Sequence, residues 1–185
     1  MADPIKAKNL NFNYVEAEDR LIIVVQGEYG EKLGLFLTRR LTERLVNGFA
    51  GILEKSSPMA AQAPAEMRGD VVLLEHQGAL EGAGSKGTSS TAAAAGSGAS
   101  PAIPRQQQIQ ITTALISSVD ISTKPTHFEI VIKSVDKVLV RFDINRSGLH
   151  RVIGLLTEKA EEAADWNIRI EASWLEAGQT TLTVN

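Results

Sequence analysis

The residues whose types and spacing invite a chemical reading are three histidines, two groups of arginines and one glycine-rich hexapeptide. His76, His127 and His150 lie far apart, and none forms the His-x-x-x-His spacing of a helical metal site. The chain has no cysteine, which excludes disulfides, thiolate metal sites and cysteine nucleophiles. Its serines include no Gly-x-Ser-x-Gly elbow. Residues 82–87, Gly-Ala-Gly-Ser-Lys-Gly, spell a literal G-x-G-x-x-G. A dinucleotide fingerprint needs a strand before it and a helix after it, and this one sits in low-complexity sequence. Glu161 and Glu162 are helix neighbours pointing different ways, so they read as solvated rather than as an acid–base pair. His150, beside Arg151 on a helical stretch, reads as a surface residue. No catalytic, cofactor or metal set results, and the expectation is a protein that is not an enzyme.

The arginines carry more. Arg39 and Arg146 each fall just after a good helix N-cap, Thr38 and Asn145. A cation in a first helical turn faces the positive end of the helix dipole and costs about 0.3–1 kcal/mol when exposed. One reading is an anion site, in which the helix N-terminal N–H groups join Arg39, Arg40 and Arg44 in one place and Arg146 and Arg151 in the other. A phosphate backbone or an acidic partner surface fits it. The other reading pairs Arg39 with Glu43 one turn on and leaves the arginines solvated. Phe36 is out of phase with Leu35 and Leu37, so it points to the opposite sheet face, where a base could stack. Phe12, Tyr14, Phe128 and Phe142 occupy core-patterned positions.

Elements must position these groups. Leu10–Tyr14, Leu21–Val25 and Leu33–Leu37 read as three short strands joined by tight turns. Leu41, Leu45, Phe49 and Ile52 then repeat at helical spacing, so a helix runs from about 39 to Lys55. Gly48 and Gly51 weaken it by roughly 1 kcal/mol each and suggest close packing on a sheet. Residues 58–81 suggest an extra helix over 64–81. Residues 82–104, rich in Gly, Ser, Ala and Thr, read as a flexible linker. In 105–185, the segments Ile109–Ile121, Phe128–Ile132 and Val138–Phe142 read as strands, Leu149–Leu156 as the face of a helix, and Ile168–Ala172 as a last strand reaching toward Trp174.

The halves match without gaps at a shift of 107 residues. Phe12 and Tyr14 fall on Val119 and Ile121; Leu21, Ile23 and Val25 on Phe128, Ile130 and Ile132; Thr38 on Asn145; Arg39 on Arg146; Arg44 on Arg151. The expected fold is therefore α+β: two tandem strand-strand-strand-helix repeats, 1–57 and 105–185, in a pseudo-twofold antiparallel sheet/helix domain. One such unit is too small to be comfortably stable alone, and two can bury their apolar faces together. In element order the unit is similar to the repeats of PUR-type, Whirly-type and PC4-like single-strand nucleic-acid binders, which carry four strands before the helix where this sequence shows three.

The net charge of −3 argues against a chain held to nucleic acid by bulk charge. No apolar run approaches a membrane span, and the first ten residues do not resemble a secretory signal. The expectations are a soluble cytoplasmic protein, a protein partner or self-association, and a protein-interaction or assembly role. The alternative is single-stranded nucleic-acid binding, with Arg39, Arg40, Arg44, Arg146, Arg151 and Phe36 as contacts.

Overall fold

The computed structural model describes residues 3–82, 111–135, 137–163 and 165–180. The linker reading of 82–104, with its glycine motif, falls outside these residues apart from Gly82. The strands are β1 (Ile5–Val15), β2 (Arg20–Gly27), β3 (Lys32–Leu37), β4 (Thr112–Leu115), β5 (Ser118–Thr123), β6 (Phe128–Ser134) and β7 (Lys137–Ile144). The α-helices are α1 (Arg39–Ser56), α2 (Pro58–Gln62), α3 (Arg68–Glu81), α4 (Arg146–Glu158) and α5 (Ser173–Thr180). The fold is α+β.

Both meanders form as the alternation requires. In β2 and β6 every second side chain is buried: Leu21, Ile23 and Val25 in one, Phe128, Ile130 and Ile132 in the other. The strand order is β4-β3-β2-β1-β7-β6-β5. The sheet is mixed, which corrects the expectation of an antiparallel one: β1 pairs with β7, and β3 with β4, in parallel. The reason is strand length. Residues Asn9–Val15 pair with β2, the register shifts between Ala7 and Asn9, and Ile5 and Lys6 run on to face Val140 and Arg141 of β7.

β4 and β5 end the strand order yet are separated only by Ile116 and Ser117. The Ile116 N–H donates to the Phe36 carbonyl on β3, and the Ser117 N–H to the Lys133 carbonyl on β6. Successive N–H groups of extended chain point to opposite sides, so one run of chain passes from one end of the order to the other and closes it into a ring. Closure consumes edges that an open sheet would leave unpaired.

Helices α1 and α4 cover the apolar face, with Val46, Ala50 and Leu53 of α1 and Leu149 and Ile153 of α4 fully buried. Their starts are capped as expected: Thr38 Oγ1 accepts from the Leu41 N–H at 3.3 Å and Asn145 Oδ1 from the Gly148 N–H at 2.8 Å. A Cβ at Gly48 or Gly51 would meet nothing within 4 Å, so these glycines do not serve the close packing that the sequence suggested. Ser57 caps α2 above Pro58, and a single 3-10 turn, Ala65–Met67, leads into α3. α2, α3 and α5 form an outer layer; α3 lies on α4 and touches α1 and α5.

The last strand expected at Ile168–Ala172 is absent. A π-helical turn (Lys159–Ala163) follows α4, and residues 165–172 run as a strap outside any strand ladder before α5, with Asp165 left-handed at φ 49° and the Ile168 N–H donating to the Trp166 carbonyl. Helix side chains replace the missing ladder. Arg39 Nη2 donates to the Asn167 carbonyl, Glu43 Oε2 accepts from the Arg169 N–H, and Asn47 bridges the Arg169 carbonyl and the Glu171 N–H. Arg39, Glu43 and Asn47 are spaced one helical turn apart, so a single row on α1 holds the strap's backbone.

Candidate functional site

The densest polar cluster lies between α3, α4 and α5. Val72, His76 and Ala79 are the buried residues of α3, at the i, i+4, i+7 spacing of one helix face. His76 meets His150 of α4, Nδ1 to Nδ1, at 3.3 Å. Trp174 of α5 packs edge-on to both imidazoles. His150 is 1% exposed and His76 6%, so the surface placement of His150 is corrected. α4 is covered on two sides, by the sheet and by the outer helices, and position 150 faces the second.

Next to the pair, Arg146 holds Glu75. Its Nε and Nη2 donate to Glu75 Oε2 at 2.9 and 2.6 Å, its Nη1 to Ser56 Oγ and its Nη2 to the Leu53 carbonyl at the end of α1. Ser57 Oγ donates to the other carboxylate oxygen, Oε1. One guanidinium thus ties α4 to α3 and to the C-terminal turn of α1. The carboxylate also lies 3.8 Å from His150 Nε2, too far for a hydrogen bond. His150 Nε2 and Trp174 Nε1 are buried without a hydrogen-bond partner.

This geometry assigns the tautomers. An Nε2 lone pair on His150 would face carboxylate oxygen, so the nitrogen nearest Glu75 carries the proton. Nδ1 of His150 is then the acceptor, and His76 Nδ1–H is the donor. Burial lowers the His76 pKa from its ordinary value. Burial, the neighbouring His76 and the Arg146 charge lower that of His150 to about 3. Both rings are neutral near pH 7. A tetrahedral metal centre needs at least three protein ligands, and among the described residues no group of three candidate ligands converges.

The structure separates the residues singled out from the sequence. Arg146 lies inside the cluster, and Arg151 Nε donates to the Ala79 carbonyl near the end of α3. Arg39 serves the strap, not Glu43. Arg40 and Arg44 are exposed one turn apart on α1. Phe36 is half-buried, out of phase with the fully buried Leu35 and Leu37. The arginines of the two helix starts therefore do different work.

Two features escaped the sequence. The His76–His150 contact spans 74 residues and two helices, and the apolar periodicity that would have placed both inside leaves histidine out. Asp19, in the left-handed region at φ 47°, accepts from the Tyr14 hydroxyl at 2.8 Å and from Trp166 Nε1 at 3.0 Å, anchoring the start of the strap. Those hydrogen bonds, Tyr14 first, hold its carboxyl below the usual range. An apolar crevice of about 380 Å³, its mouth included, is lined by apolar side chains alone, among them Phe12, Ile23, Phe49, Val119, Ile130 and Leu156. It offers nothing to bind a charged substrate. No helix among the described residues is long and apolar enough to cross a membrane. No family model, no curated protein and no solved structure matches this chain.

Proposed function

We propose that this chain is a non-enzymatic protein-interaction or assembly subunit built on an internally duplicated α+β fold. The observation that carries the reading is the outward face of the helical layer. Met67, at the cap of α3, and Leu74 on α3 are 52% and 67% exposed, and half-buried Val71 lies between them. Met59 on α2 is 59% exposed. An amphipathic surface helix normally turns such side chains inward; here the buried face of α3 carries a histidine while the outer face carries leucine and methionine.

Duplication is supported by strand register. Ile5 faces Val140, Thr112 faces Leu33, and shifting Ile5 and Leu33 by 107 gives Thr112 and Val140. The same shift carries the pairs Leu21–Leu37 and Ile23–Leu35 onto Phe128–Ile144 and Ile130–Phe142. It also carries the Thr38–Leu41 cap onto Asn145–Gly148. The first hairpins differ by a two-residue slip: Phe12 faces Ile23, while Val119 faces Ile132. Around the crevice stand Phe12 with Val119, Ile23 with Ile130, Leu45 with Val152 and Phe49 with Leu156, each pair 107 apart. A pseudo-twofold axis through the crevice would relate these pairs, the slipped first hairpin excepted.

The first partner to test is a second copy. Light scattering over a concentration series is expected to detect association that Leu74→Glu abolishes while the circular dichroism spectrum is kept. A strict monomer that also captures no protein specifically lost with Leu74→Glu overturns the reading.

Single-stranded nucleic-acid binding is the second reading, favoured by Arg40 and Arg44 exposed one turn apart. Titration of fluorescent single-stranded DNA and RNA at low and moderate salt tests it. Salt-sensitive binding weakened by Arg40→Ala with Arg44→Ala supports it, and no binding at low salt removes it.

A further inference from the structure

We propose that the His76–His150 pair is a pH-operated latch, which clamps the outer helices α3 and α5 onto α4 while both imidazoles are neutral and releases them when the pair is protonated. This stands independently of the functional reading above. The attachment of α3 is slender: of its residues only Val72, His76 and Ala79 are buried, so a titratable ring sits at the centre of its contact. The Nδ1–H···Nδ1 bond needs one bare nitrogen. Full protonation gives both Nδ1 atoms a hydrogen and sets two cations 3.3 Å apart.

The charged neighbours do not offset this. Glu75 on α3 is the nearest anion, but its carboxylate is already held by the Arg146 guanidinium. Arg146 itself repels a proton arriving on His150. Arg151 on α4 reaches away to the Ala79 carbonyl. From α1 come the Ser56 hydroxyl and the Leu53 carbonyl, both on Arg146, and α5 contributes the Trp174 indole, itself a donor. A first proton enters at the bare Nε2 of His76 and leaves the Nδ1–H···Nδ1 bond in place; the second, on His150 Nδ1, removes the acceptor and meets no free acceptor among these groups, and the relief is to open the helix contact and let water in.

The direction follows from linkage. A histidine whose folded pKa lies below its unfolded value, ~6.5, favours the closed state fully above ~6.5 and loses that contribution as pH falls. For His150, about 3 when folded, the closed-to-open ratio is expected to drop about 30-fold between pH 8 and pH 5. His76 acts in the same direction.

The test is native-state hydrogen exchange on the full chain at both pH values, corrected for intrinsic exchange. Protection in α3 and α5 is expected to fall about 30-fold relative to β2 and β6. Equal loss in helices and strands, or no loss, overturns the latch. Imidazole NMR titration of the unaltered protein is a second measurement that needs no variant. Two buried rings resisting protonation well below the ordinary histidine range support the latch, and ordinary titration of both sinks it. The variant His76→Gln with His150→Gln is expected to make the α3 protection pH-independent.

Discussion

Removing the Arg146 guanidinium offers the sharpest test of how the helices are tied. In Arg146→Ala, four hydrogen bonds to Glu75, Ser56 and the Leu53 carbonyl disappear. The Glu75 side chain, 9% exposed, keeps Ser57 as its donor but loses its counter-charge. Breaking one side of a buried ion pair costs about 3–5 kcal/mol, mostly from the stranded charge. At a urea m-value of ~2 kcal/mol per molar, the midpoint should fall by about 1.5–2.5 M with m unchanged. Arg39→Ala, its counterpart in the shifted alignment, loses one exposed hydrogen bond to the Asn167 carbonyl and should cost about 0–1 kcal/mol. Replacing both charges, Arg146→Met with Glu75→Met, should recover most of the loss, because two apolar side chains leave no charge to solvate. The assay is urea unfolding followed by tryptophan fluorescence. An Arg146→Ala loss no larger than that of Arg39→Ala refutes the reasoning, as does a double variant no better than Arg146→Ala.

Stability to urea should also fall between pH 8 and pH 5, by about 2 kcal/mol from His150, since the unfolded chain binds the proton that the folded chain excludes; a flat profile contradicts the burial of that ring. Gly48→Ala should stabilise by about 1 kcal/mol, because helix propensity improves and the new Cβ meets nothing within 4 Å. Gly148→Ala should destabilise despite better propensity, because its Cβ would lie 2.6 Å from Ile144 Cγ1; thermal melts of the two variants should move in opposite directions. Asn47→Ala removes both hydrogen bonds to the strap and should raise cleavage within residues 165–172 under limited proteolysis, while the β2 amides stay protected.

Much of the fold was legible in local pattern. Alternation placed Leu33, Leu35 and Leu37, and Phe128, Ile130 and Ile132, in the core; helical spacing placed Leu45 and Phe49 there, with Leu41 and Ile52 of the same series half-buried; and Thr38 and Asn145 announced the helix starts. These signals are local because each depends on which way a side chain points from its own strand or helix. The strap misled for the same reason. Ile168 and Ile170 alternate like a strand, but a strand also needs a neighbouring backbone, and here Arg39, Glu43 and Asn47 supply the partners instead.

The candidate site was hardly legible. Arg39 and Arg146 have the same residue type at the same place after a cap, yet one reaches a surface carbonyl and the other a buried carboxylate. What differs is the neighbour, α3, to which no stretch of the second half was matched. By itself the sequence determined the two meanders and their helices: the strands, the caps and the side of each helix that meets the sheet, all set by spacing within a few residues. Only the tertiary structure decided how the two meanders join in parallel through Ile5 and Thr112. It alone brought His76 against His150 across 74 residues, because such contacts depend on how whole elements pack and not on the pattern within any one of them.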